Sequence, residues 1–185
     1  STPTSPIFVN IFKAGAKTLF PERIVISRYF DTLNLAMFQE SEEGVLPRRK
    51  IRIRKYSDTM KFFKEIKISS QEGQFKLSDE FSHVSTMRPD ICNNLFDLNY
   101  GNVFHSATVE YTRCYYEYGS LRLTLDRNIR YSHPSSPNIF FSDNQSVLEV
   151  KTISNTNIDY IENLMNTIPG RFSKYCRAIK LLKTV

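Results

Sequence analysis

The chain has 185 residues, 41% of them hydrophobic, and its 25 Lys and Arg against 19 Asp and Glu leave a formal charge of +6. That length supports a core of its own without a second domain, and no apolar run is long enough to cross a bilayer. The basic balance, with a pI near 9.2, points to an anionic partner and excludes none of nucleic acid, acidic lipid or phosphorylated small molecules.

The first nineteen residues open Ser1-Thr2-Pro3-Thr4-Ser5-Pro6. They lack a basic and apolar leader pattern and are expected to be a linker or a truncated edge, with the folded domain over residues 20–185. Ile7 to Lys17 carries a mixed apolar pattern that predicts a short helix, ended by Pro21 before a strand over Ile24 to Phe30. Asp31-Thr32 turns the chain, Leu33 to Glu40 is a short helical or extended connection, and Glu42 to Pro47 is a loop. A strong strand over Arg49 to Tyr56 and another over Phe62 to Ser69 should pair antiparallel through the turn at Ser57-Asp58-Thr59.

Gln71 to Gly73 is a turn, and Ser78-Asp79-Glu80 has the look of a helix start, so a helix is expected through Phe81, Val84 and Met87 to Pro89. A second turn of helix is expected near Ile91 to Leu98. Strands follow over Val103 to Glu117, Ser120 to Tyr131 and Gln145 to Ile153, the last two separated by a loop at His133 to Pro137. Ile158 to Met165 has helical spacing, and Ser173 to Leu182 reads as a closing helix. The order is strand-rich with helices inserted and terminal, an α+β arrangement.

Five segments place charge where a buried strand would place hydrocarbon: Lys50-Ile51-Arg52-Ile53-Arg54, Lys64-Glu65-Ile66-Lys67-Ile68, Tyr111-Thr112-Arg113, Leu121 to Asp126, and Leu148-Glu149-Val150-Lys151. Side chains alternate faces along a strand, so each segment sends aliphatics one way and charges the other. For one hairpin, a solvated outer face is the ordinary explanation. Repetition in five strands suits a sheet curled around a polar interior that holds a polyanion.

Arg suits phosphate because its planar fork donates two parallel hydrogen bonds and stays ionised. Lys50, Arg52 and Arg54 share one face, Glu65 and Lys67 share a face of the partner strand, and Tyr111, Arg113 and Arg122 are further inward candidates. Glu149 and Lys151 again share a face. Carboxylates among such cations either pair with them or hold a divalent metal that bridges phosphate oxygens. Glu149 is the first candidate for metal and Glu65 for pairing, with an internal ion pair as the alternative for both.

Other chemistries find little support. Cys92, Cys114 and Cys176 are odd in number and lack CxxC spacing, so neither a disulfide framework nor a zinc site is indicated, and a reducing, cytoplasmic setting is the simpler expectation. His83, His105 and His133 share no ligand spacing and read as surface or packing residues. No Walker A, GxGxxG, GxSxG or HExxH sequence is present. The aromatics near the Arg run show no pattern for stacking RNA bases, so no nucleic-acid partner is expected.

From about Phe20 to Lys183 the sequence resembles the VTC domain, the polyphosphate polymerase domain of the triphosphate-tunnel, CYTH-like superfamily. The resemblance is carried, in order, by Ser27-Arg28-Tyr29-Phe30-Asp31-Thr32, Arg48 to Tyr56, Lys64-Glu65-Ile66-Lys67, Tyr111-Thr112-Arg113, Leu121 to Asp126, Leu148 to Lys151 and Phe172-Ser173-Lys174-Tyr175. Each motif is weak alone, and their order and combination are specific. The resemblance implies an antiparallel β-tunnel whose inward cations bind a nucleotide triphosphate and a growing polyphosphate, with Mn²⁺ or Mg²⁺ aiding transfer of the γ-phosphoryl group of ATP.

Matched by motif, Arg52, Arg54, Lys67, Arg113, Arg122 and Lys174 would take catalytic positions. Lys50, Tyr111, Lys151 and Ser173 would bind substrate, and Glu149 would be the metal-associated carboxylate. Ser173 and Lys174 come from the resemblance alone. Family members begin with a basic and acidic strand that helps close the tunnel, and none is found ahead of Phe20, where Lys13 and Lys17 are the basic residues. The rival functions are a tunnel triphosphatase and a non-catalytic module for polyphosphate or inositol phosphates.

Overall fold

The computed structural model describes residues 15–81, 92–152, 158–165 and 170–183. Among these residues nine strands form one sheet: β1 (Lys17–Asp31), β2 (Arg48–Tyr56), β3 (Phe62–Ser70), β4 (Gly73–Glu80), β5 (Asn94–Asp97), β6 (Gly101–Tyr118), β7 (Leu121–His133), β8 (Ser136–Ser142) and β9 (Val147–Lys151). The helices among the described residues are α1 (Ala36–Glu43), α2 (Ile158–Met165) and α3 (Lys174–Lys183). The strand order is β4-β3-β2-β1-β6-β7-β8, with β5 beside β6 and β9 beside β7. Every pairing is antiparallel. Among the described residues no pairing joins β4 to β8 or β9, so hydrogen bonds do not close the sheet. It is the expected antiparallel tunnel in open form, its two edges meeting around one cavity. No described helix is long and apolar enough to cross a membrane.

Alternation sorts the core onto the two faces. On the concave side Val25, Ala107, Val109, Ile129 and Tyr131 pack against Tyr175, Ala178 and Ile179 of α3. On the convex side Ile51, Ile53, Phe30 and Val103 pack with Met37 of α1 and Cys92. Elsewhere Cys114, Tyr116, Leu123 and Leu125 bury Met165 of α2. Buried Asp31 fixes two of the helices, since its carboxylate accepts from the backbone N–H of Met37 (3.0 Å) and Phe38 (2.9 Å) at the start of α1 and from the Tyr175 hydroxyl of α3. Gly44, at φ 79°, ends α1 in the left-handed region that glycine tolerates.

One extra residue shifts the register of β7 between Arg127 and Arg130 opposite Thr112 and Glu110, with Asn128 at φ 53°. This bulge changes which parity faces inward. Asp126 and, three residues on, Ile129 therefore both lie on the concave side.

Several expectations need correction. β1 already runs from Lys17 and contains Pro21, at a register irregularity between Phe20 and Arg23, so Pro21 ends no helix there. A proline without an N–H is accommodated where the ladder is interrupted. The expected helix from Ile7 to Lys17 otherwise falls outside the described residues. Ser78-Asp79-Glu80 belongs to β4, which the backbone of β3 recruits through residue pairs from Phe63–Glu80 to Ser70–Gly73. The expected continuation of that helix from Ser82 to Pro89 also lies outside the described residues. Near Ile91 to Leu98 the chain forms β5, paired to β6, in place of a helical turn. The loop assigned to His133–Pro137 includes the start of β8, an edge strand in which Pro137 costs little.

Candidate phosphate-binding site

A cavity of about 410 Å³ lies on the concave side of the sheet. β2 contributes Lys50, Arg52 and Arg54, and β3 contributes Lys67. From β6 come Tyr111 and Arg113, and from β9 come Glu149 and Lys151. Phe172, Ser173 and Lys174, at the entrance to α3, cover it. The parity of residues along β2 and β3 brings these cations together: Lys50 sits opposite Lys67 and Arg52 opposite Glu65 in the ladder.

Arg122 is placed differently. It is exposed near the start of β7, opposite Lys151, and is not among the residues lining the cavity. The strand parity is as read, but the residue lies beyond the end of the enclosed space. Six lining residues escaped sequence reasoning: Tyr29 on β1, Val147 on β9, Phe172 ahead of α3, and Gln74, Phe75 and Lys76 on β4. The two-residue alternation of Gln74-Phe75-Lys76-Leu77 after a turn was the available signal for the latter three. Tyr29 lay within a motif already singled out.

Two buried carboxylates organise the cations. Glu65 (side chain 4% exposed) accepts from Arg52 at 2.7 Å, from Arg54 at 3.3 Å and from Lys76 at 2.6 Å. Arg52 also donates to the Tyr29 hydroxyl (3.0 Å), and Arg54 to Ser27 and Tyr111 (both 3.2 Å). Asp126, fully buried, receives Arg113 through two hydrogen bonds of 2.6 and 2.8 Å and Lys174 at 2.5 Å. Pairing is thus the observed role of Glu65. Glu149 is 45% exposed, with its oxygens 3.8 Å from Arg113 and from Lys151. The local chain explains Ser173: its hydroxyl accepts the Cys176 N–H (3.3 Å) as the cap of α3 and also accepts from Lys50 Nζ (2.8 Å).

Protonation follows from these contacts. Burial alone would raise the Glu65 carboxyl, but Arg54 and Arg52 together with Lys76 hold it down to about 2. Burial would likewise raise Asp126, and the Arg113 bond and Lys174 charge bring it below the usual carboxylate range. For Arg113, burial acts downward and is outweighed by Asp126 and Tyr111, so its guanidinium is held more firmly ionised. Lys50 and Lys67 move the other way. Burial pulls both below the ordinary lysine value, aided at Lys50 by the charge of Lys67 and at Lys67 by Arg52 and Lys151. A polyanion entering the cavity would draw both back up toward the ordinary lysine value.

The Glu65 network predicts acid sensitivity. Its carboxyl titrates near 4.5 when unconstrained and near 2 when folded. Its contribution is therefore complete above 4.5 and is lost as pH falls toward 2, amounting to about 3 kcal/mol. Denaturant unfolding across that range should show stability falling with acid, and Glu65→Gln should flatten that part of the profile. An unchanged slope in the variant would remove Glu65 as its source.

Solved structures of similar fold include a candidate adenylate cyclase from Bacillus halodurans, 16% identical with a TM-score of 0.52 over 82% of this chain and 80% of that one. The PH1819 protein from Pyrococcus horikoshii OT3 is 15% identical, with a TM-score of 0.56 over 99% of this chain and 94% of its own. At those identities the likeness concerns the fold alone. No curated protein sequence matches the chain significantly. The family description of the VTC domain, however, matches residues 21–86 and 101–183. This match, which covers most of the chain, establishes that it belongs to the VTC domain family.

Proposed function

We propose that the chain is a nucleotide-dependent polyphosphate polymerase that transfers the γ-phosphoryl group of ATP to a growing polyphosphate. The observation that carries this reading is the convergence of eight Lys and Arg side chains from six elements on one cavity. Lys50, Tyr111, Lys151 and Ser173 bind and align the phosphate chain. Arg52, Arg54, Lys67, Arg113 and Lys174 stabilise the charge that spreads over the transferring phosphoryl oxygens. Arg122 meets the polymer outside the enclosed space.

In the transfer, a terminal oxygen of polyphosphate forms the new bond to the γ-phosphorus. The bond from that phosphorus to the β,γ-bridging oxygen breaks, and ADP leaves with the electron pair. The attacking oxygen is already ionised, so no general base is required. That suits a site whose buried carboxylates, Glu65 and Asp126, are both engaged by cations.

Among the described residues no three His, Cys, Asp or Glu side chains gather into a metal cluster. Mg²⁺ and Mn²⁺ nevertheless fit here, because such ions take one or two carboxylates alongside substrate phosphates. Glu149 would hold the ion, which when bound supplies neutralisation of phosphate charge. Tunnel triphosphatase activity is the second reading, favoured by the half-exposed Glu149 carboxylate as an acceptor for a water proton. Incubation of the protein with ATP and Mn²⁺, followed by separation of products, tests the proposal. Long-chain polyphosphate with ADP is expected; orthophosphate alone would support the triphosphatase, and no turnover would leave a binding module. Glu149→Gln should lower turnover by about 10- to 100-fold while changing ATP affinity little.

A further inference from the structure

We propose that Thr124 is a positioning residue for Glu149, its hydroxyl donating to the Glu149 carboxylate and fixing that group for the divalent ion that accompanies the phosphates. The inference rests on the reading of Glu149 as a metal ligand and adds the residue that orients it. Thr124 and Glu149 are direct partners in the ladder between β7 and β9, and Tyr115 faces Thr124 from β6. All three lie on the concave side, because their strand neighbours Cys114, Leu123, Leu125, Leu148 and Val150 pack around Met165 on the other face. Opposed side chains on one face stand with Cβ atoms about 4.5–5.5 Å apart, within reach of a hydroxyl and a carboxylate.

Each group lacks the partner that the other would supply. The Thr124 hydroxyl oxygen is shut off from water and has no hydrogen-bond partner among the described residues. Leaving a buried hydroxyl unpaired costs about 1–3 kcal/mol, so the side chain is stabilised once an acceptor turns toward it. The neighbouring acceptors are turned elsewhere: the Tyr115 hydroxyl lies against Arg23 (2.8 Å), and Asp126 is held by Arg113 and Lys174. Glu149 is different. Its oxygens stand 3.8 Å from Arg113 and from Lys151, too far for hydrogen bonds, and the side chain is 45% exposed. A carboxylate held this loosely loses side-chain entropy when it ligates an ion. A hydrogen bond from Thr124 to one oxygen orders it and leaves the other oxygen for the ion, as supporting bonds do for metal-ligating carboxylates generally.

Calorimetric titration of Mn²⁺ into the tripolyphosphate complexes of the parent, Thr124→Val, Thr124→Ser and Glu149→Gln proteins, prepared with protein in excess, tests this alongside thermal melts of the ligand-free proteins. Val keeps the branched shape and removes the hydroxyl, whereas Ser keeps the hydroxyl. Thr124→Val is expected to bind Mn²⁺ about tenfold or more weakly. Its melting temperature should equal or exceed the parent's, since the ion-free fold does not pair that hydroxyl. Thr124→Ser should retain the parent's Mn²⁺ affinity. Parent-like affinity in Thr124→Val with weakened binding in Glu149→Gln overturns the role of Thr124 and leaves Glu149 as the metal ligand. A clearly lowered melting temperature in Thr124→Val, or equal weakening in the Val and Ser variants, also overturns that role. Parent-like affinity in Glu149→Gln overturns the metal reading and the inference with it, as does failure of tripolyphosphate to bind the parent.

Discussion

Replacing Ile53 with Asp is expected to abolish the cooperative folded state. Ile53 is 1% exposed and packs with Phe30, Met37, Ile51 and Val103 on the convex face, where no cation is among the clustered core residues. A carboxylate there either stays ionised without a partner or takes up a proton and remains poorly hydrogen-bonded, at a cost of several kcal/mol. Typical domains have only about 5–15 kcal/mol in total. Loss of the thermal transition by circular dichroism is the expected readout. Ile51→Asp should behave alike, whereas Arg52→Ala, one position away on the opposite face, should keep a cooperative melt. A melting temperature for Ile53→Asp close to the parent's would contradict the assignment of the two faces.

The second large effect is expected at Asp126. Its carboxylate joins Arg113 of β6 to Lys174 of α3, and the side chain is wholly buried. Asp126→Ala leaves two cations beside a cavity that is already strongly positive. Breaking a buried pair from one side costs about 3–5 kcal/mol. Added tripolyphosphate should return part of this stability, because a ligand that binds only the folded state stabilises it by mass action. It should also raise the melting temperature of the variant more than that of the parent, since the released cations become available to phosphate. A small loss of stability, or equal ligand shifts in the two proteins, would show that Asp126 does not organise this side of the site.

The parts legible in the sequence were those in which local pattern and tertiary environment agree. β2 and β3 alternate strictly, and the same alternation that buries Ile51 and Ile53 delivers Lys50, Arg52, Arg54 and Lys67 to one cavity. β4 was obscured because Ser78-Asp79-Glu80 has the chemistry of a helix cap, and its pairing with β3 is a tertiary fact. β8 was obscured by Pro134 and Pro137, residues that mark loops but are tolerated on a sheet edge. In β7 the extra residue around Asn128 changes the face of everything after it, which no count of even and odd positions anticipates.

The site shows the same division. Arg122 has the parity of Asp126, but parity does not report how far along the strand the cavity extends. Ser173 and Lys174 have no periodic signal, since their positions depend on how α3 folds back over the concave face; the family resemblance supplied them. Lys76 follows from β4 and was lost with it.

Calorimetric titration of tripolyphosphate into the parent and into Arg52→Ala and Lys67→Ala, repeated at alkaline pH in two buffers of different ionisation heat, tests the polyphosphate cavity most directly. The parent should bind and take up protons, because Lys50 and Lys67 are held below the ordinary lysine value until an anion arrives. Arg52→Ala should bind about 10- to 100-fold more weakly through loss of a charge-assisted bond, and Lys67→Ala should show reduced proton uptake. No binding by the parent, or the same affinity in all three proteins, would contradict a cavity built for polyphosphate.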